Sequence, residues 1–222
     1  MAVLRIGIVD TGLNPWHSHV RGAVAGCRMF LAPDGRVGED GDYRDLVGHG
    51  TAVAGVIREA FPDAELYAVR VFDDDGATYP SLVARGILRA AAEQCAFVNL
   101  SLSVAPGVGS DVLAAACADA IAAGCTLVAS ARPDRSGGLP ASLPGVCVVT
   151  ADDALAFGDV RIDGPLRLAA PGRPRDLGSL PREANLWGHS FACARGLVHL
   201  ARQVGASAQR DGPHSADDPG SR

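Results

Sequence analysis

The sequence predicts an α/β fold built on a mostly parallel central sheet. Three observations carry this. Five short apolar runs, Leu4–Val9, Leu66–Val71, Ala96–Leu100, Thr126–Ala129 and Val146–Thr150, are bounded by turn formers, as buried parallel strands are. Ala-rich stretches of helical length and spacing lie between them. The two kinds of segment alternate along the chain, which is the pattern of parallel strands joined by crossover helices.

Taken in order, Leu4–Val9 forms the first strand and delivers Asp10 at its C-terminal end. Pro33–Asp45, rich in Gly and Asp, reads as a surface loop. A helix runs from Gly50 to about Ala60, then the strand Leu66–Val71. The acidic run Asp73-Asp74-Asp75 matches no complete calcium loop and reads as a solvated turn, so no metal site is expected. Leu82, Ile87, Leu88 and Ala91 share one face of a helix ending near Gln94. After Ala96–Leu100, the residues Val112, Leu113, Ala116, Ala120 and Ile121 mark another helix, with Asp111 near its start and Gly124 as its stop. Arg132–Pro144 and Pro171–Glu183 are Pro-, Gly- and Arg-rich connections, separated by the strand Val146–Thr150. A last helix runs from Ser190 to about Val204. Residues 206–222 hold almost no apolar side chains and read as a disordered tail, which leaves 1–205 as one domain.

A chain of 222 residues with 48% hydrophobic and 20% charged residues has enough apolar surface for one real core. Its net charge of -5 provides no broad basic footprint, so nucleic acid is not an expected partner. No apolar run reaches the roughly 18 residues of a membrane span. The chain passes from Met1 into its first strand without a secretory signal pattern, so the expected location is the cytoplasm. Six scattered cysteines without a C-x-x-C pair give no reason to expect a zinc site and read as small buried apolar residues, although an even number also permits disulfides.

Three segments bear chemistry. Ile6-Gly7-Ile8-Val9-Asp10-Thr11-Gly12 places an Asp outside a strand end, where open α/β sheets hold their sites. Alone it also fits a plain turn or an aspartic-protease motif. Gly48-His49-Gly50-Thr51-Ala52-Val53-Ala54-Gly55 sets a His among small residues at a helix start, where the helix dipole disfavours imidazolium. Gly188-His189-Ser190-Phe191-Ala192 sets a Ser after a tight turn, as a nucleophile or as an ordinary N-cap. A serine hydroxyl needs a base within reach, and that base needs an orienting carboxylate; the order Asp10, His49, Ser190 satisfies both needs.

These three segments resemble the signatures of the subtilisin-like serine proteases, the subtilases. Val98-Asn99-Leu100-Ser101-Leu102-Ser103 resembles that family's substrate-binding strand. Leu139-Pro140-Ala141 with Val146-Cys147-Val148-Val149 resembles its late core strand, and Ala169-Ala170-Pro171-Gly172 the stretch before its serine. The resemblance spans about residues 4 to 204. It implies a subtilisin-like three-layer fold, a triad of Asp10, His49 and Ser190, no cofactor, and substrate pairing along Ser101, Leu102 and Ser103. Ser190 then also supplies an oxyanion N–H.

The chain departs from the family in two places within the site. Where the family carries an oxyanion Asn, Val128-Ala129-Ser130-Ala131-Arg132-Pro133-Asp134 brings Pro133 or a neighbour, and proline has no N–H. Arg132 or Arg135 is a candidate substitute donor, or a solvated loop residue. The family's Gly-Thr-Ser appears as Gly-His-Ser, which makes His189 either a polar contact for substrate or a capping residue. Compactness and the expected cytoplasmic location make a dedicated processing enzyme the expectation. It would resemble the small subtilases that remove a leader peptide, such as that of quinohemoprotein amine dehydrogenase. Its partners would then be a precursor peptide or protein and the enzymes that modify it. Two rival readings stand beside this: a catalytically weak subtilase-fold scaffold that binds peptides, and a general intracellular peptidase.

Overall fold

The computed structural model describes residues 3–132, 138–175 and 184–210, the last five by backbone alone. Nine strands form one sheet in the order β3-β2-β4-β1-β5-β6-β7-β9-β8. They are β1 (Arg5–Asp10), β2 (Val24–Leu31), β3 (Val37–Asp40), β4 (Glu65–Arg70), β5 (Phe97–Leu100), β6 (Thr126–Ser130), β7 (Cys147–Ala151), β8 (Arg161–Gly164) and β9 (Arg167–Ala170). All neighbours from β2 to β9 run parallel, and only the two edge pairs, β2 with β3 and β8 with β9, are antiparallel. The helices are α1 (His49–Ala60), α2 (Pro80–Ala92), α3 (Ser110–Ala122) and α4 (His189–Arg210).

Strand side chains alternate between two cores, as the pleat requires. Ile6, Ile8, Leu66, Ala68 and Val128 face α1 and α4. Val9, Tyr67, Val69, Leu127 and Ala129 face α2 and α3. Burial on both faces explains why these strands read as continuous apolar runs. The result is the three-layer α/β architecture that the resemblance implies.

Two edge hairpins depart from the sequence reading. Val37–Asp40 lies inside the segment read as the Pro33–Asp45 loop, yet it pairs with β2, with Arg28 opposite Asp40 and bonded to it. Its burial is only partial, so no apolar run announces it. β8 is missed for the same reason, being almost wholly exposed, whereas β9 is buried but only four residues long, Arg-Leu-Ala-Ala, too short and alanine-rich to stand out as an apolar run. At the other end, α4 continues past Val204 to Arg210, so residues 206–210 of the segment read as tail are helical. The rest of that segment, 211–222, lies outside the described residues.

The six cysteines are all buried and free. The acidic run forms a turn: Asp73 accepts the N–H groups of Asp75 and Ala77, and Asp74 pairs with Arg70.

This topology places the site. From β1 the sheet grows one way through β4 and the other way through β5, so a crevice opens at the C-terminal ends of β1 and β5. Asp10 ends β1, and Ser101 follows β5 directly.

Candidate active site

Asp10 is fully buried, and its Oδ1 accepts the Thr11 N–H at 2.7 Å. The same oxygen stands 2.6 Å from Nδ1 of His49, the first residue of α1. With an ionised carboxylate as partner, Nδ1 carries the proton and Nε2 is left as an acceptor. Oδ2 of Asp10 is buried and finds no donor among the described residues. A dehydrated carboxylate with one oxygen unpaired favours a positive neighbour, here the imidazole.

A second carboxylate lies behind this pair. Asp45 accepts N–H groups from Val47, Gly48 and Thr51 and the hydroxyls of Thr11 and Thr51, at 2.6 to 3.0 Å. The Thr11 hydroxyl in turn accepts the Gly50 N–H at 3.0 Å. Asp45 thereby ties the end of β1 to the first turn of α1, on both sides of His49. No family motif in the sequence reading includes it; the available signal was an Asp two and three residues ahead of small N–H donors, an Asx-turn pattern.

Burial pushes the His49 pKa down, but the Asp10 hydrogen bond, the Asp10 charge and the Asp45 charge together outweigh it, so the ring titrates above its ordinary 6.5. The expectation from the helix start considered the dipole alone; these two carboxylates act in the opposite direction and favour the imidazolium. Stability and base function then vary oppositely with pH. The imidazolium pair stabilises the fold below about 6.5 and that increment is lost as pH rises through the higher folded value. A free base at Nε2 exists only above that same folded value. Asp45→Asn removes one raising charge, so the acid limb of activity should move to lower pH. A profile of kcat/KM from pH 5 to 9 checks this, and an unmoved limb would count against the role of Asp45.

Ser190 sits in the first turn of α4. Its hydroxyl donates to the Ser101 carbonyl at 3.2 Å, while the Ser101 hydroxyl donates to the Ser190 carbonyl at 2.9 Å. The structure thus brings Asp10 and His49 into direct contact, and turns the Ser190 hydroxyl toward Ser101 rather than toward His49. The His49 ring lies 6.0 Å, centroid to centroid, from the ring of Phe191, next in sequence to Ser190. Beneath the clamp, Asn99 donates to the Ser101 hydroxyl at 2.8 Å, and the Cys193 thiol contacts Asn99 Oδ1 at 3.4 Å. Burial pushes that thiol up to about 12, so it stays protonated and acts as a donor, not as a nucleophile.

The remaining candidates fall as follows. Ser101 and Leu102 are buried and Ser103 is exposed; the Leu102 side chain belongs to the core, so only its main chain faces outward pairing. No backbone ladder occupies Ser101–Ser103 among the described residues, whereas Val104 already bridges Leu139. Arg132 packs along Gly138 beside the Ser103 hydroxyl, at the edge of the same crevice. Arg135 and Pro133 lie outside the described residues. His189 accepts the Ala151 N–H at 3.0 Å and stands edge-on to Trp187, with its pKa lowered by burial. Its Nδ1 is thus an acceptor that pins the start of α4 to the end of β7.

The chain has relatives among known proteins. The chain is 34% identical over 160 residues to a thermostable alkaline protease of Halalkalibacterium halodurans, covering 67% of this chain and 41% of that protein. It is 30% identical over 190 residues to subtilisin DY of Bacillus licheniformis, covering 77% and 65%. The chain therefore spans less than two thirds of the length of these relatives. Among solved structures, an epidermin leader peptide processing serine protease from Staphylococcus aureus superposes with a TM-score of 0.69 at 19% identity, over 94% of this chain and 66% of that one. A lanthipeptide protease does so with a TM-score of 0.67 at 18% identity, over 95% and 75%. Both likenesses concern the fold. The model of the subtilase family matches residues 3–196, from β1 into α4 and across every residue of the crevice, and the chain belongs to that family.

Proposed function

We propose that this chain is a serine endopeptidase with Asp10, His49 and Ser190 as its triad. The observation that supports it most is the 2.6 Å contact of His49 Nδ1 with a fully buried Asp10 carboxylate, at the crevice that Ser190 also borders. An extended peptide laid along Ser101–Ser103 would offer its own N–H to the Ser101 carbonyl, releasing the Ser190 hydroxyl toward His49. His49 Nε2 takes the hydroxyl proton as Oγ attacks the peptide carbonyl carbon, and Asp10 stabilises the imidazolium. The Ser190 N–H, at a helix start, faces the oxyanion, with Arg132 as a candidate second donor. His49 then protonates the leaving amine, and water hydrolyses the Ser190 ester by the same route.

The proposed substrate is a leader-bearing precursor. Two structural relatives bear names of that kind, a leader peptide processing protease and a lanthipeptide protease. Six free, buried thiols suit a reducing compartment, in line with action in the cytoplasm. A scaffold that binds peptides without cutting them draws its support from the Ser190 hydroxyl, which is engaged with Ser101 instead of the base. A fluorophosphonate probe separates the two readings. The protease is labelled at Ser190 and the Ser190→Ala variant is not; an unlabelled, folded wild type would leave the scaffold. Digestion of casein would replace the dedicated enzyme with a general peptidase.

A further inference from the structure

The turn Trp187-Gly188-His189-Ser190 carries the chain into α4 and sets where the Ser190 hydroxyl stands. On one side Ser190 exchanges hydrogen bonds with Ser101. On the other, the turn rests on the segments that follow β7 and β9. The Gly188 N–H donates to the Gly172 carbonyl at 2.8 Å, and the Gly172 N–H donates to Asp153 Oδ1 at 3.1 Å. The Trp187 indole packs on Gly172, where an added Cβ would meet its Nε1 at 2.8 Å and the Ala151 Cβ at 3.0 Å. The remaining tie is the 3.0 Å bond from the Ala151 N–H to His189 Nδ1.

That bond answers a need of the sheet. The Val149 carbonyl accepts the Ala131 N–H, so Val149 turns its polar backbone groups toward β6. Ala151, two residues on, turns its N–H the same way. β6, however, ends at Ser130, opposite Val149. His189 supplies the acceptor that the strand no longer does. An imidazole that accepts at Nδ1 carries its proton on Nε2 and is neutral. An imidazolium has donors at both nitrogens, so its Nδ1–H would point at the Ala151 N–H, and the bond would be lost. Burial favours the neutral ring, and no charged neighbour contributes to the lowered pKa. Asp152 and Asp153, which follow β7, are paired with Arg161 and Arg173. Along α4, the Cys193 thiol stays protonated, and Arg195 donates to the carbonyls of Arg173 and Pro174. From α1, His49 packs on Phe191 and is tied to Asp10.

We propose that His189 is a positioning residue for the nucleophile: its neutral Nδ1 latches the serine turn to the end of β7, and protonation of the ring releases it. The inference rests on the reading of Ser190 as nucleophile. It adds a second proton switch below the one at His49, because burial lowers the His189 pKa whereas two carboxylates raise that of His49.

Two variants and a pH profile test it, with a 4-nitrophenyl ester as substrate of the full chain. His189→Asn places a side-chain oxygen about where Nδ1 stands and does not titrate. His189→Leu fills similar space without an acceptor. At pH 8, His189→Leu should lower kcat about 10- to 100-fold with KM within about twofold, since a misplacement of about 1 Å costs on the order of 10²-fold. His189→Asn should keep kcat within about threefold of wild type, because the acceptor is restored. In the wild type, log kcat/KM should fall below the His49 pKa and steepen by about one further unit per pH below the His189 pKa. His189→Asn should lack that extra steepening, a comparison that does not depend on the folding of His189→Leu. Full turnover in His189→Leu, equal losses in both variants, or a wild-type profile no steeper than that of His189→Asn would overturn the latch. A Ser190→Ala variant as fast as wild type would instead overturn the nucleophile reading, and the latch with it.

Discussion

Ser190→Ala lowers kcat by about 10⁴- to 10⁶-fold and leaves the fold intact. Members of a triad act as a unit, so losing the nucleophile removes nearly the whole covalent route; in the subtilisin case the loss is on the order of 10⁶. The residual rate comes from oxyanion support and binding. Stability should change by less than about 1 kcal/mol. The hydroxyl makes one 3.2 Å bond to Ser101, and the reciprocal bond from Ser101 to the Ser190 carbonyl survives the change. Turnover of a 4-nitrophenyl ester together with a thermal melt checks both halves. An unchanged turnover would remove Ser190 from the mechanism.

Gly50→Ala should destabilise the protein by about 2–3 kcal/mol and cut kcat at least 100-fold. Local reasoning gives the opposite sign, since Ala is better than Gly inside a helix by up to about 1 kcal/mol. Packing reverses it. A Cβ on Gly50 would sit 2.1 Å from the Gly12 carbonyl oxygen and 3.2 Å from Asp10 Cβ and Oδ1. Both are anchored: Gly12 follows β1, and Asp10 is buried at its end. The first turn of α1 must therefore back away, stretching the Gly50 N–H bond to Thr11 and carrying His49 away from Asp10. Gly205→Ala is the control, in the same kind of helix but with nothing within 4 Å of the new methyl. It should be neutral or slightly stabilising. Denaturant midpoints for the two variants and ester turnover for Gly50→Ala measure the contrast, and equal midpoints would refute the packing argument.

Much of the site was legible because each chemical group sits in a short local pattern. Asp10 closes an apolar strand, His49 opens a helix between glycines, and Ser190 follows a glycine turn. The central strands were legible because parallel strands buried on both faces need unbroken apolar runs. The edge hairpins were not, since half-exposed strands such as Val37–Asp40 carry no such run. Asp45 fell within a segment dismissed as loop. Its function depends on donors that the chain folds around it, one of them Thr11, 34 residues away.

By itself, then, the sequence determined the central strands and the helices between them, which hydrophobic period sets, and it nominated Asp10, His49 and Ser190 through short segments that resemble a family's signatures. Only the tertiary structure decided the state of those residues. The His49 pKa depends on how two carboxylates and burial balance in space, and Asp10, the nearer of them, lies 39 residues away in sequence. The resting hydrogen bond of Ser190 joins residues 89 apart. Distances between segments remote in sequence govern each of these, and no local pattern encodes them.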